Sequence, residues 1–490
     1  MEMLKNAARF LLDADGTVRV RTIRSGIWIS FASAVIRVLE FVRSIVLARL
    51  LVPELFGVMA IVLCVRGAVD VVTSTSFKSA LIYKQEDIEE TANTAWTLNI
   101  IRGVFLFVLM LVIAPYVSVF YNEPSLNFAI RFIAFSLLVE SFSNINTVIL
   151  EKSLNYRSIT TAKIVSSFIN ITVVLLLAYV YQNIWSLLIG NFLSSCFNVI
   201  STYIIQPKKP KFKFNKTVAA DLFQYAKYVT GTGILVFFTL TMADIVLGKL
   251  LSLKELGYYS YAFTLANLPT THITAVVSEI IFSAYNAIKS DVAKLKVVFL
   301  KIFRIISIVA VPAGVGIYAL ADEIIIVMLG PDWQPAIAPL RVLVFFGVIR
   351  SLAATTGPIL TAVGKPKVVF WIVFSKFCFI ACLIYPSIKY YGTVGAAFSL
   401  TAPIAIEQLL LWYIIKKELK ISLLPFLHSV VKALGFSLIM LLVILVFKTL
   451  MPINSVISLL AAISVGIAAY ALMTFNFENK IIQDFYELKG

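Results

Sequence analysis

Charge is what this sequence has least of. Asp, Glu, Lys and Arg make up 14% of its residues, where a soluble domain carries about 25%. That shortage excludes an ordinary soluble chain. Histidine is scarcer still, with only His272 and His428. The four cysteines, Cys64, Cys196, Cys378 and Cys382, each fall inside an apolar run with no His or Asp beside them. They read as small buried thiols rather than metal ligands. No GxxxxGK[ST] loop is present, which argues against an ATP-driven pump within this chain. Long connections are missing as well. The longest outer ones lie near 115–127 and 322–335, with little room for the clustered acids or Arg/His of a membrane polymerase or glycosyltransferase. The chain is therefore not expected to be an enzyme. An excess of 16 positive charges would suit nucleic acid, but the basic residues sit in short loops between apolar runs.

Apolar residues fill the gap. They make up 60% of the chain, and mean hydropathy is +0.93. A membrane-crossing helix needs about 20 mostly apolar residues. Fourteen such runs are present, near 26–51, 56–77, 92–114, 127–150, 158–180, 184–205, 221–251, 256–282, 296–321, 336–361, 369–388, 394–415, 424–447 and 455–476. They are too long and too uniformly apolar for barrel strands. The predicted fold class is an all-α integral membrane protein with 14 transmembrane helices. With the N-terminus inside, the inner connections hold 25 basic residues and the outer ones only Lys254, Lys389 and Lys448. This bias predicts that both termini are cytoplasmic.

A phrase recurs. "IVLARLLVPELFG" at 45–57 returns as "IVLGKLLSLKELG" at 245–257, with Ile, Val, Leu, Leu, Leu and Gly in register. Further along, "AIRFIAF" (129–135) faces "PLRVLVF" (339–345) at an offset of 210. Two six-helix bundles thus share one plan and one orientation, as in a parallel repeat. The domain organisation is a first bundle over 1–205, a basic cytoplasmic linker over 206–220, a second bundle over 221–415, and two further helices with a tail over 416–490. Two like-oriented bundles can rock around a substrate near the bilayer midplane. Duplication retained only for packing is the alternative.

Ionisable residues at membrane depth are functional candidates by default. Near the midplane lie Arg37, Glu40, Arg66, Arg102, Glu140, His272 and Arg350. Nearer the ends lie Arg43, Asp70, Lys163, Asp244, Glu279, Lys376, Glu407 and Lys432. Arg37, Glu40 and Arg43 share a face of the first span, and Arg66 and Asp70 stand one turn apart on the second. The stripes line a hydrated cationic cavity, or the acids neutralise their own neighbours. One Glu cannot neutralise both Arg37 and Arg43. In the second bundle Arg350 precedes Gly357-Pro358, a pair expected to kink or open its helix. His272 and Glu279, seven apart, are open to a coupling role or to packing.

The segments "VLARLLVPELFGVMAI", "ALIYKQEDIEETANTAWTLN", "LEKSLNYRSITTAKI", "VLGKLLSLKELGYYSYAF", "LGPDWQPAIAPLRVL" and "RSLAATTGPILTAVGKPKV" add something more specific. Through them the whole chain resembles the polysaccharide transporter family of the multidrug/oligosaccharidyl-lipid/polysaccharide flippase superfamily, in its colanic-acid exporter type. The resemblance implies a MATE-like fold in a bacterial plasma membrane. It implies translocation of polyisoprenyl-diphosphate-linked oligosaccharide repeat units from the inner to the outer leaflet. A polymerase and a chain-length regulator would act outside, and the chain would work as a monomer without a cofactor. Proton or sodium coupling stays open, with Glu40, Asp70, Asp244, His272 and Glu279 as the acids and base to consider. Arg37, Arg43, Arg66 and Arg350 are the positions whose location suits the diphosphate, since arginine forks match phosphate oxygens. A multidrug/cation antiporter and a peptidoglycan-precursor flippase are the competing readings within the same architecture.

Overall fold

The computed structural model describes residues 18–73, 88–152, 156–268, 285, 291–420, 422 and 424–477. Among them every regular element is helical. The main helices are α1 (Val18–Leu50), α2 (Pro53–Val72), α3 (Ile88–Tyr121), α4 (Ser125–Ser141), α5 (Tyr156–Tyr181), α6 (Ile184–Ile205), α7 (Lys216–Leu250) and α8 (253–268). After them come α9 (Val292–Ala319), α10 (Ile337–Ala362), α11 (Pro366–Leu419), α12 (Leu424–Leu450) and α13 (Val456–Phe477). Among the described residues ten helices are long and apolar enough to cross a membrane.

Their ends follow from local chemistry. Pro53 opens α2, where a missing N–H costs nothing. Glu89 and Glu90 sit in the first turn of α3, facing the positive end of its dipole. Asn183 caps α6 by accepting from the Trp185 N–H at 3.0 Å, and Asp291 caps α9 through the Lys294 N–H at 3.0 Å. α11 is 54 residues long, about 80 Å if straight, against a hydrocarbon core of about 30 Å. It is not straight. Gly392 takes φ 58° and ψ −135° inside it. Beyond the kink, Gly395 lies so close to the Ser387 carbonyl that a Cβ would not fit. The chain therefore doubles back into two arms. By contrast α10 runs unbroken through Gly357 and Pro358, so the opening expected there does not occur. A proline inside a helix removes one hydrogen bond, and packing on both flanks holds the rest.

The chain divides into two compact units. The first comprises residues 1–51 and 61–237, the second 52–60 and 238–490. In the first, α3 packs on α4, α5 on α6, α1 on α5 and α4 on α6. Gly190 allows the α5–α6 approach, because a Cβ there would strike Val174. The stretch 206–215, with its lysines and prolines, lies extended along the first turns of α3. The Lys211 N–H donates to Asn93 Oδ1 at 2.7 Å, Asn144 Nδ2 donates to the Gln206 carbonyl at 2.8 Å, and Lys208 pairs with Glu89 at 2.8 Å.

In the second unit α9 packs on α10 and α12, α10 on α11, and α12 on α13. The closing parts of the two copies of the repeated phrase, 52–57 and 252–257, meet here. A Cβ on Gly57 would collide with the Leu253 carbonyl, and one on Gly257 with the Pro53 carbonyl. The contact is reciprocal at an offset of 200 residues, so backbone touches backbone across a local two-fold relation. Beside it, Phe56 sits edge-on to Trp333 at 5.1 Å and to Tyr261 at 5.8 Å. Trp333 is fully buried. It stands in a short 3-10 turn, Pro331–Ala336, entered through Gly330 at φ 110°. The "LGPDWQP" segment is thus a packing device: glycine for the left-handed turn, proline to start the helix, tryptophan to fill the core.

The cysteines depart from the reading as buried thiols. Cys64 is buried and Cys196 half-buried, but Cys378 and Cys382 are exposed on α11. A thiol is apolar enough to face hydrocarbon, so an apolar run alone does not place it inside.

Candidate functional site

In the first unit the midspan charges form three linked contacts. Arg66 on α2 reaches Glu140 on α4 with one guanidinium nitrogen, at 2.8 Å and 2.7 Å to the two carboxylate oxygens. Ser195 on α6 donates to the same carboxylate at 2.6 Å. Asp70, one turn further along α2, accepts instead from Arg102 on α3, which also donates to Thr73 Oγ1 at 3.1 Å. Arg66 and Asp70 therefore do not neutralise each other. Each finds its partner on a facing helix, where a charge-assisted bond across the bundle forms with better geometry than along one helix.

α1 carries the remaining charges. Arg37 and Glu40 stand 3.7 Å apart and both are half-exposed. Arg43 is different. Its Nη1 donates to Asn170 Oδ1 at 2.8 Å, and Asn170, buried on α5, donates in turn to the Gly190 carbonyl at 3.1 Å. No carboxylate lies within ion-pair distance of Arg43 among the described residues, and its buried Nε has no hydrogen-bond partner. A neutral amide fixes the guanidinium without cancelling its charge.

The second unit repeats this device. Arg350 on α10 donates to Asn267 Oδ1 at 3.0 Å, and Asn267, buried on α8, donates to the Phe263 carbonyl at 2.8 Å. Asp244 on α7 accepts from Ser260 Oγ at 3.4 Å. Lys376 and Glu407, from the two arms of α11, close a largely buried ion pair at 2.8 Å. His272 and Glu279 lie outside the described residues.

Of the four arginines expected to hold phosphate, then, Arg66 is clamped by an acid and Arg37 half-paired, while Arg43 and Arg350 are held by amides, with no carboxylate within ion-pair distance among the described residues. Four partners complete these contacts: Glu140, Arg102, Asn170 and Asn267. Glu140 and Arg102 were visible as midspan charges. Asn170 and Asn267 carried only the weaker signal of an amide in an apolar run.

Solved structures locate the fold. The chain superposes on the "Lipid II flippase MurJ, inward closed conformation" with a TM-score of 0.77 and 17% identity, over 93% of this chain and 100% of that one. It also matches an outward-facing multidrug resistance MATE family transporter of the MOP superfamily, with a TM-score of 0.57 and 15% identity, over 87% and 98%. These likenesses define the class: a multi-pass helical membrane protein of the MOP fold. Within it, residues 46–338 match the family model "Polysaccharide biosynthesis protein", and the chain belongs to that family. A membrane protein of the cps region of Klebsiella pneumoniae is 24% identical over 97% of this chain and 98% of its own length. The lipopolysaccharide biosynthesis protein WzxC of Escherichia coli is 21% identical over 80% of each. The succinoglycan biosynthesis transport protein ExoT of Rhizobium meliloti is 24% identical over 72% of each. The resemblance drawn from the six sequence segments is borne out at the level of family, and the fold is the one shared with the MOP-superfamily structures.

Proposed function

We propose that the protein flips polyisoprenyl-diphosphate-linked oligosaccharide repeat units from the inner to the outer leaflet for polysaccharide assembly, by alternating access of its two repeated halves. Family membership supports the pathway, since relatives are named for lipopolysaccharide biosynthesis and succinoglycan transport. The observation that carries the chemistry is the paired arrangement Arg43–Asn170 and Arg350–Asn267. An arginine bound to a carboxylate is spent on structure. An arginine bound to an amide is oriented and still cationic, which is what an incoming diphosphate requires. Without such a site the charge would not leave water, because its desolvation in hydrocarbon far exceeds thermal energy.

Arg43 and Arg350 are the proposed diphosphate contacts, each in its own unit, with Arg37 on the same helix as Arg43 and Arg66 as the residue that fixes the α2–α4–α6 packing. Asp244, Glu40 and Asp70, with His272 and Glu279, are the groups through which proton or sodium coupling would act. The chain is read as crossing a bacterial inner membrane fourteen times with both ends inside. To the ten long apolar helices this adds α1, α4, α8 and the second arm of α11. Six helices form each repeat and α12 and α13 stand outside them. The protein works without a cofactor, as a monomer, ahead of a polymerase and a chain-length regulator.

The test uses proteoliposomes. A polyisoprenyl-diphosphate oligosaccharide is placed in one leaflet, and its access to an external glycosidase is followed. Wild-type protein is expected to accelerate its appearance, and Arg43→Ala with Arg350→Ala to abolish the effect. No acceleration over empty vesicles, with proton and sodium gradients applied in turn, would sink the reading.

A further inference from the structure

Among the described residues of the second unit, an apolar groove of about 530 Å³ runs between α9, α10, the second arm of α11 and α12. That is within the usual volume of a small-molecule site. Val311, Val344, Leu352 and Leu434 form its walls, and Phe345, Leu409 and Leu438 on its lining are exposed. Two of its lining residues do not belong in an apolar slot. Gln408 is 4% exposed, and neither its amide nitrogen nor its amide oxygen has a hydrogen-bond partner. Trp412, one turn further along the same helix, has a buried indole N–H that is equally unpartnered. Leaving two such groups unpaired in an apolar surrounding is costly, so native structures rarely do it. A ligand that brings an oxygen acceptor between them would satisfy the two donors, Gln408 Nε2 and Trp412 Nε1, and so remove most of the cost, with Gln408 Oε1 left unpaired.

The position of the pair within the groove identifies that ligand. The Trp412 ring packs on Phe303 of α9 and Phe426 of α12, both at 5.9 Å. The groove begins beyond these rings, from Val311 on α9 and from Val430 on α12, so Trp412 marks one end. Along α12 the lining extends from Val430 to Leu441, about 16 Å at 1.5 Å per residue. One leaflet of hydrocarbon is about 15 Å deep. Lys416 and Lys417 follow Trp412 by one turn at the polar end of the helix, where headgroups lie and where tryptophan is favoured. The groove is thus one leaflet long, with its hydrogen-bonding pair just under the headgroups.

We propose that this groove is a binding site for a diacyl glycerolipid of the leaflet on the Lys416 side. One acyl chain fills the slot, and its ester carbonyl accepts from Trp412 Nε1 and Gln408 Nε2. A polyisoprenyl tail does not fit this role, because it is hydrocarbon up to its diphosphate and offers no carbonyl at that depth. The site is therefore a resident-lipid site separate from the cargo, and it stands whether or not the cargo assignment does.

Native mass spectrometry of the delipidated full chain tests it. The protein is offered equal amounts of a diacyl phospholipid and its di-ether analogue, matched in headgroup and chain length. Wild-type protein is expected to retain the ester lipid about tenfold better, as two hydrogen bonds would give. Gln408→Leu combined with Trp412→Phe is expected to lose that preference. The same double variant without lipid should melt no lower than wild type, since it removes unpaired polar groups rather than contacts. Equal retention of the two lipids by wild-type protein would overturn the site with no variant needed. A preference that survives in the double variant would overturn it too. Displacement of the ester lipid by a polyisoprenyl phosphate, unaffected by the variants, would assign the groove to the cargo tail instead.

Discussion

Arg43 and Arg66 occupy neighbouring helices of one unit and differ in what holds them. Arg66 meets a carboxylate with both oxygens engaged, and Arg43 meets an amide. Replacing them should have opposite signatures. Arg43→Ala is expected to slow flipping about ten- to a hundredfold, the range for one charged hydrogen bond to phosphate, and to lower the melting temperature less than Arg66→Ala, since it strands a neutral amide oxygen and not a charge. Among the described residues Arg66→Ala leaves the Glu140 carboxylate with only Ser195 as a partner, and it should destabilise by about 2 kcal/mol. Adding Glu140→Gln in that background should recover much of the loss, because the stranded charge is removed. Thermal melting in detergent beside the glycosidase assay separates the two. Equal melting of both single variants would mean that the Arg66–Glu140 contact is not structural. The sequence marked Arg66 and Asp70 as a pair one turn apart, and residue spacing could not have said otherwise. Which acid an arginine reaches depends on the helix that faces it.

At the scale of elements, glycines decide how closely helices approach. Gly57 and Gly257 meet the Leu253 and Pro53 carbonyls with no space for a side chain. Gly57→Ala or Gly257→Ala should each cost about 1–3 kcal/mol by overpacking, read as a lowered melting temperature. Because the contact is reciprocal, the double variant should cost less than the sum of the two once the crossing has already opened. Additive losses would show that the two glycines act independently. The helix ends were largely legible: Pro53, Asn183, Asp291 and Gly392 all mark boundaries by chemistry that acts locally. Pro358 does not open its helix, although a kink was the other expectation. Its local preference is to open a helix, and the packing of α10 on both sides outweighs it.

For the whole molecule, the distribution of basic residues makes a topological prediction. In a background without native cysteines, Lys254→Cys should react with an impermeant thiol reagent added to intact cells, and Lys209→Cys only after permeabilisation. The reverse pattern would invert the orientation, and reaction of both from outside would break the even span count. The repeat at 45–57 and 245–257 also acts at this scale. It is one plan used twice, and within the second unit the closing parts of its two copies meet through matching glycines.

The sequence by itself determined the class of protein. Low charge and long apolar runs leave no other environment than a bilayer, and the basic bias and the repeat are properties of the chain alone. The recurring segments were specific enough to carry the family, and the family model bears them out. Tertiary structure decided which charges remain available. Arg43 and Arg66 look alike along the chain, as do Glu40 and Glu140. Their partners are 127 and 74 residues away, on helices whose facing surfaces are set by packing. An ion pair needs its two ends within about 4 Å, and no local pattern fixes a distance between residues so far apart in sequence.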